Sequence, residues 1–407
     1  MVSALRRVDP RRTPGGPAVT APGRQERREL PIGRRVAQLR VRRGMSQQVF
    51  ADRIGKSKSW VDKVERGVRN LDRLSVIHTI SGVLGVAPDL LVGRRTRQAT
   101  VTEVAAAVER VREALVCYDT PADCVADLDR QLAYAYTAYR HAQHPQVLRM
   151  LPDLLTAARH ASTVDVLVGA YRLAAHLLVK LGEPDLAWLA ADRAMTTAGG
   201  DPRRTAVAVL PLAQALRAQR RGRLALAVTT TALRHLDPAR SPDLPPEHAA
   251  LAGTLLLEAA LAAASHGDAS TADNLADQAT DRARRCPDRD GFGTTTVNLA
   301  RALAATILGE HALAVAIHQP ATRTDGWHRL PAEHRAAHLI DMSRAYLTIG
   351  DHRAAARVLV TADQIAPAET RIRPAARAAL IAVLRAGPTP ADLARLATTI
   401  GLTSGST

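Results

Sequence analysis

Three of the four lysines in the 407-residue chain lie within eight positions of one another. They are Lys56, Lys58 and Lys63, and every other basic residue but one is an arginine. Ammonium groups bind phosphate oxygens, and they also donate hydrogen bonds to base edges in the major groove of DNA. The cluster therefore indicates a nucleic-acid contact here, the alternative being three solvated side chains.

A second set of residues has the spacing of metal ligands. His334, His338 and Asp341 lie at positions 0, +4 and +7, which would put two imidazoles and a carboxylate on one helix face, where they could hold zinc or iron. The 14 histidines of the chain make one such trio expected by chance. No phosphate-binding loop, dinucleotide fingerprint, zinc-protease motif or nucleophile elbow occurs. We therefore expect no enzymatic activity, no metal and no cofactor.

The basic charge is concentrated near the N-terminus. Residues 1–97 carry 22 basic and 8 acidic side chains, a net charge of +14, whereas the other 310 residues carry 33 and 31, a net charge of +2. Aromatic residues make up 3% of the chain, and alanine and leucine supply most of its apolar content, which favours helices over strands. Composition thus predicts an all-α protein whose anionic partner binds its N-terminal part.

Cysteine usage and hydropathy indicate the compartment. Cys117, Cys124 and Cys286 are too few for a disulfide framework in a chain of this length, which favours a reducing environment. The sequence shows neither a signal peptide nor an uninterrupted apolar stretch of about 18 residues. It therefore predicts a soluble, cytoplasmic protein that does not bind a membrane.

Composition and periodicity divide the chain into five segments. Residues 1–29 are rich in arginine and proline without periodicity, and they predict a disordered basic arm. Residues 30–93 alternate short apolar-periodic stretches with glycines, which predicts five short helices. A polar linker at 94–100 precedes long Ala/Leu-rich helices at 101–400 and a frayed tail at 401–407.

Two serines mark the starts of the second and third short helices. Ser46 would cap Gln47–Ile54, and Ser57 would cap a helix ending at Glu65. The apolar residues expected to form the small core are Val36, Phe50, Ala51, Ile54, Val61 and Val64.

This segment resembles the Cro/CI-repressor-like helix-turn-helix family, also called the xenobiotic-response-element type. The resemblance rests on LRVRRGMSQQVFADRIGKSKSWVDKVERG at 39–67 and LGVAPDLLVG at 84–93. It implies a five-helix, lambda-repressor-like domain that binds double-stranded DNA, with Gln47–Ile54 as the positioning helix and Ser57–Glu65 as the recognition helix. Phe50, where leucine is usual, and the bulky Trp60 depart from the family pattern.

The N-terminal end of a helix in the major groove reaches deepest towards the bases. We therefore expect Lys58, Ser59 and Lys63 to read bases. The residues expected at the DNA backbone are Gln47, Ser57, Arg69 and Arg73. For Arg69 and Arg73, the alternative is a solvated loop without DNA contact. Arg40 and Glu65 resemble the internal ion pair of the family, which would fix the first helix against the third.

A glycine-centred motif recurs five times in residues 101–400. The glycines are Gly182, Gly222, Gly267, Gly309 and Gly350. A small residue stands seven positions before each, alanine stands five positions after, and alanine stands twelve positions after in all units except the second, where Arg234 occurs. The pattern resembles tetratricopeptide repeats with a longer period, and it implies an α-solenoid of stacked helical hairpins.

Five aromatic residues of this region have two open interpretations. Tyr134, Tyr136, Tyr139, Trp188 and Trp327 would either line a binding groove or fill the core between helices.

The combination resembles bacterial regulators that join this helix-turn-helix to a tetratricopeptide-like sensor of small peptides. It implies a homodimeric, sequence-specific transcriptional regulator whose repeat domain mediates dimerisation, binds a peptide or small-molecule effector, or both. The alternative is a protein-interaction scaffold with a weak, nonspecific nucleic-acid-binding module.

Overall fold

A computed structural model of the chain describes residues 31–69, 71, 74–84, 101–117, 127–160, 163–237, 245–285, 291–387 and 390–402. These residues form 21 helices and no strand, which confirms the all-α fold class. The chain divides into two compact units, Met1–Gln98 and Ala99–Thr407. The predicted arm at 1–29, the fifth short helix at 88–92, the linker at 94–100 and residues 403–407 of the tail lie outside the described residues.

The described part of the first unit contains four short helices. They are α1 (Ile32–Arg42), α2 (Gln47–Arg53), α3 (Lys58–Glu65) and α4 (Leu74–Leu84). Both predicted N-caps are confirmed, because the hydroxyls of Ser46 and Ser57 accept hydrogen bonds from the third residue beyond each, at 3.2 Å. The predicted core is also confirmed, and Met45, Leu71, Ile77, Ile80 and Leu84 complete it.

Helix α1 packs closely on the end of α3 because residue 33 has no side chain. A Cβ atom on Gly33 would overlap the backbone carbonyl oxygen of Val64. Backbone atoms cannot move aside as a flexible side chain can, so any larger residue must push the two helices apart. Gly33 therefore fixes the distance between α1 and α3.

We expect Gly33→Ala to destabilise the first unit by about 1–3 kcal/mol, because the added methyl group forces the helices apart. The matched control is Gly82→Ala on α4, where a Cβ would meet nothing. This control should be neutral or stabilising by about 0.5–1 kcal/mol. Urea titration of protein labelled with 5-fluorotryptophan, followed by fluorine NMR, would isolate the signal of Trp60. Equal free energies of unfolding for the two variants would show that close packing at Gly33 does not limit the distance between α1 and α3.

The second unit is entirely helical in its described parts. Its helices are α5 (Val101–Val116), α6 (Leu128–Arg140), α7 (His144–His160), α8 (Val164–Lys180), α9 (Pro184–Ala198), α10 (Pro202–Ala218), α11 (Gly222–Leu236), α12 (Pro246–Ser265), α13 (Ala269–Arg285), α14 (Thr294–Leu308), α15 (His311–Ala321), α16 (Asp325–Arg329), α17 (Ala332–Thr348), α18 (His352–Ile365), α19 (Pro367–Ile372), α20 (Pro374–Ala386) and α21 (Ala391–Thr399).

Six helical hairpins in the described ranges of this unit share one turn geometry. The pairs are α6/α7, α8/α9, α10/α11, α12/α13, α14/α15 and α17/α18. Each turn contains one residue with a left-handed backbone, and these residues are Ala142, Gly182, Arg220, Gly267, Gly309 and Gly350. The next backbone N–H donates to the carbonyl five residues earlier, as in Glu183 to Leu178. The repeating unit is therefore a helix, a left-handed residue and a second helix.

The predicted role of Gly222 as a turn residue is wrong. Arg220 takes the left-handed conformation at φ 62°, whereas Gly222 is the first residue of α11. Gly222 is buried against Ser265 and Ala262 of α12, where a Cβ would overlap their atoms. The glycine at this position is thus explained by close helix packing and not by the turn.

Taking Arg220 as the turn residue of this hairpin removes the exception in the alanine pattern. Alanine then stands five positions after the turn residue as Ala225, which is buried, in place of the exposed Ala227. The position twelve residues after the turn becomes Ala232 in place of Arg234. The five predicted units therefore all carry alanine at both positions, where their second helices pack on neighbours.

The first and last hairpins of the second unit contact each other. Helix α6 packs on α17, and α7 packs on α19. Ala142 joins the apolar core formed by the C-terminal hairpins, and Ile372 packs against the core formed by the N-terminal ones. The array of hairpins is therefore closed on itself.

Helix α12 is the only helix in the described ranges that is long and apolar enough to cross a membrane. Of its apolar window, 78% is buried inside the unit. This placement is that of a core helix, which buries its apolar residues among neighbouring helices.

Burial, partial for His176 and nearly complete for His318, favours the neutral form of these two histidines of the second unit. Burial lowers the pKa of His176 to about 4, with a further lowering by Arg172, and burial lowers the pKa of His318 to about 4. Histidines of the unfolded chain bind protons below a pH of about 6.5. The stabilising contribution of each is thus complete above that pH and is lost as the pH falls towards 4.

We expect His176→Gln to reduce the loss of stability between pH 7 and pH 5 by about 2 kcal/mol, because glutamine does not titrate. Glutamine can still donate to the side chain of Gln214, the partner of His176 at 2.9 Å. Urea unfolding followed by circular dichroism at the two pH values measures this difference. The exposed His235→Gln serves as control and should leave the pH dependence unchanged. A pH dependence of His176→Gln equal to that of the wild type would show that this histidine does not contribute.

Candidate nucleic-acid interface

The N-terminal end of α3 presents polar side chains on one side and core residues on the other. Lys58 and Ser59 are its first two residues and are exposed, whereas Val61 and Val64 are buried. Lys63 is also exposed, and neither ammonium group is paired within the described parts of the chain. The three residues expected to read bases thus share the solvent-facing side of α3.

The starts of α2 and α3 suit a negatively charged partner. Neither helix has an acidic residue in its first turn. Unpaired N–H groups and the helix dipole make such an end partly positive, which favours phosphate oxygens. Gln47 is the first residue of α2, and Ser57 is the N-cap of α3. Gln47 and Ser57, two of the four predicted DNA-backbone contacts, therefore lie at helix N-termini.

Arg40 of α1 and Glu65 of α3 form a two-point ion pair. Nε of Arg40 donates to Oε1 of Glu65 at 2.6 Å, and Nη2 donates to Oε2 at 2.9 Å. The side chains are 11% and 7% exposed. The hydrogen bond to Glu65 raises the pKa of Arg40. The pair fixes the angle of α3 on α1 because a guanidinium and a carboxylate match in only one plane.

Two further hydrogen bonds extend this pair to the turn and to α2. Nη1 of Arg40 donates to the backbone carbonyl of Met45 at 2.7 Å. The side-chain amide of Gln47 donates to Oε2 of Glu65 at 2.8 Å. No sequence pattern indicated the contact between Gln47 and Glu65, which holds the amide near the start of α2. The prediction that Gln47 contacts the DNA backbone remains a prediction.

Trp60 of α3 lies close to Arg69, which follows this helix in the chain. The guanidinium carbon of Arg69 lies 5.9 Å from the centroid of the Trp60 ring, within range of a cation–π interaction. Trp60 is partly buried and packs against the core of the unit. Trp60 thus packs against the core and also contacts Arg69, one of the residues predicted to bind the DNA backbone. Arg73 lies outside the described residues.

Residues 31–92 match a family model described as a helix-turn-helix domain. This segment is a helix-turn-helix domain. The resemblance to the Cro/CI-like helix-turn-helix is thereby confirmed for the N-terminal part of the chain. The match spans α1 to α4 and every residue of the candidate interface, including Arg73.

No curated protein matches the chain significantly. A solved structure of Bacillus thuringiensis PlcR, in complex with the peptide PapR7 and DNA, is similar to the chain with a TM-score of 0.31 and 10% sequence identity. The similarity covers 82% of this chain and 95% of that chain.

Outside the helix-turn-helix domain, the histidine trio does not form a metal site with the expected geometry. Nε2 of His338 lies 2.9 Å from Nδ1 of His318, a residue of α15 that the sequence pattern did not include. Both rings are buried. Within the described ranges, no group of three histidine, cysteine or acidic side chains is placed to hold a metal ion.

The five aromatic candidates differ in burial and in their hydrogen bonds. Trp327 is buried in the core, as the core interpretation predicts. The hydroxyl of Tyr136 donates to the backbone carbonyl of Gly169 at 2.9 Å, and Tyr134 accepts a hydrogen bond from Gln146. Trp188 is 40% exposed. Tyr139 contacts a cluster of charged residues that is described below.

We expect Glu65→Gln to destabilise the helix-turn-helix domain by about 2–4 kcal/mol, because Arg40 would keep a largely buried charge without its counter-ion. The matched control is Asp62→Asn, which removes the exposed ion pair of Asp62 with Arg66 on the same helix. It should cost less than about 0.5 kcal/mol. The fluorine signal of Trp60 during urea titration measures both changes. Similar losses of unfolding free energy in both variants would show that the buried Arg40–Glu65 pair stabilises the domain no more than an exposed ion pair does.

Proposed function

We propose that the protein is a sequence-specific, DNA-binding transcriptional regulator. The observation that carries this proposal is the two-sided arrangement of α3. Its buried side is fixed by the Arg40–Glu65 pair and by the core, and its N-terminal end presents Lys58 and Ser59 to solvent. A helix held in this way can enter the major groove with its base-reading side chains already oriented.

Each interface residue has a proposed role. Lys58, Ser59 and Lys63 would read base edges, where lysine donates to guanine acceptors and serine adapts to several bases. The proposed DNA-backbone contacts are Gln47, Ser57, Arg69 and Arg73. Backbone contacts orient the domain on the duplex, whereas the α3 contacts discriminate sequences.

The repeat unit would supply regulation. We infer that it forms a homodimer, binds a peptide or small-molecule effector, or does both, in a cytoplasmic, non-enzymatic protein. One short recognition helix ordinarily needs a second half-site for affinity, which supports a dimer. Effector binding would change the separation of two recognition helices. Unchanged DNA affinity after deleting the repeat unit and redimerising the domain artificially would contradict this coupling.

The direct test of DNA binding is selection of duplexes from a random library with the purified full-length protein. We expect enrichment of an inverted repeat, whose half-site spacing reports the geometry of the dimer. If binding is retained but no sequence is enriched, the selection is repeated with cell extract to supply a missing effector. Continued lack of enrichment would favour the scaffold with a nonspecific nucleic-acid-binding module.

Lys58→Ala and Lys63→Ala should each cost about 1–3 kcal/mol on the selected site and relax its sequence preference. The control is Arg203→Ala on α10, an exposed basic residue in the other unit, which should leave affinity unchanged. Fluorescence anisotropy on matched and mismatched duplexes at several salt concentrations measures both effects. An equal loss on every duplex would reassign the two lysines to phosphate contacts.

A further inference from the structure

The closure of the repeat array depends on a cluster of ionisable side chains. We call His144, Lys180, Glu333, Glu369 and Arg373 the closing cluster. Nζ of Lys180 lies 2.6 Å from Oε1 of Glu369 and 2.8 Å from Oε2 of Glu333. Nε2 of His144 lies 2.6 Å from Oε1 of Glu369, and Nη1 of Arg373 donates to Oε2 of Glu369 at 2.9 Å. The cluster thus joins α7 and α8 to α17, α19 and α20.

Glu369 is the centre of this cluster. Its side chain has no solvent exposure and contacts three nitrogen-bearing groups. Burial alone would raise the pKa of Glu369, but Lys180, His144 and Arg373 hold it well below its usual value. Burial alone would lower the pKa of Lys180, but Glu333 and Glu369 raise it. Both groups are therefore charged in the closed array, and each depends on the other.

The contacts across the closure are mainly between charged side chains, whereas those between successive hairpins are mainly apolar. Successive hairpins bury alanine and leucine side chains against one another. The apolar contacts across the closure involve Ala142, Ile372 and Pro374, which packs on Gly182. Separating successive hairpins would expose apolar surface to water, which is unfavourable. Opening the array at the closing cluster would instead expose its charged side chains to water, and their favourable hydration would be restored.

The closing cluster is also incompletely hydrogen-bonded. Nδ1 of His144 and Nε of Arg373 are buried and have no partner within the described residues. A buried nitrogen without a partner disfavours the closed form, because water would satisfy it in the open form. The two unpaired nitrogens therefore reduce the free energy by which the closed form is favoured over the open form.

We propose that the closing cluster is a joint at which the repeat array opens and closes while its hairpins stay folded. Opening would separate α6, α7 and α8 from α17, α19 and α20. It would expose Lys180 and Tyr139, whose ring centroid lies 5.7 Å from Nζ of Lys180. The proposal is independent of DNA binding. In a regulator, such a joint gives the repeat unit two defined curvatures.

The test measures the distance across the closure in the full-length protein. Cys117, Cys124 and Cys286 are replaced by serine, and nitroxide labels are attached at Arg149→Cys on α7 and Ala378→Cys on α20, both exposed positions. Double electron–electron resonance then reports the closed and open populations. Glu369→Gln keeps the shape of the side chain and removes its charge. We expect it to raise the ratio of open to closed molecules by about a hundredfold or more.

The matched control is Glu258→Gln. Glu258 is also largely buried and paired, with Arg217 at 2.8 Å and Gln214 at 2.6 Å, but it joins α10 and α12, the first helices of two successive hairpins. It should leave the distance across the closure unchanged. Glu333→Gln, which removes only one of the two carboxylates from Lys180, should give an intermediate open population. Circular dichroism should show unchanged helix content in all three variants.

Three results would overturn the proposal. The first is a wild-type distance in both Glu369→Gln and Glu333→Gln, which would mean that apolar contacts suffice for closure. The second is equal opening in Glu258→Gln, which would indicate general loosening of the unit. The third is loss of helix content together with opening in Glu333→Gln, the milder variant, which would make the cluster part of the folding core and not a joint.

Discussion

Close approach of helix backbones is the constraint on which both units depend. In the helix-turn-helix domain, α1 can reach α3 only because Gly33 has no side chain. In the repeat unit, alanines such as Ala187 and Ala225 are fully buried, five residues after a turn. A small residue at a crossing shortens the distance between axes, so polar groups on the two helices come within bonding range. The Arg40–Glu65 pair illustrates this, since it spans the helices that Gly33 brings together.

Charge is used differently in the two units. The helix-turn-helix domain places most of its cations in solvent, where they attract a polyanion, and buries one ion pair that orients α3. The repeat unit has a nearly balanced charge, and it buries polar side chains between helices. His176, Gln214 and Glu258 form a chain of hydrogen bonds across α8, α10 and α12. These buried groups impose a fixed register on helices whose alanine-rich surfaces would otherwise slide.

Local features of the fold could be predicted from the sequence, and long-range contacts could not. Ser46 and Ser57 were identifiable as caps because a cap is a property of four consecutive residues. The predicted turn position at Gly222 is wrong, because glycine occurs both in left-handed turns and at close helix contacts. Only the packed structure distinguishes these two roles. Lys58 could be placed at the start of α3 because it follows the N-cap Ser57. The contact of His144 with Glu369 joins residues 225 positions apart, and no local pattern encodes it.

The closed array also limits how this protein can evolve. Open solenoids gain and lose repeats by duplication and deletion, because each repeat contacts only its neighbours. Here, an additional hairpin between α8 and α17 would carry Lys180 away from Glu333 and Glu369 and leave buried charges without partners. Closure thus converts a modular architecture into one with a fixed number of units. Insertions should be tolerated in the turns between helices, whereas whole-repeat duplications should be selected against.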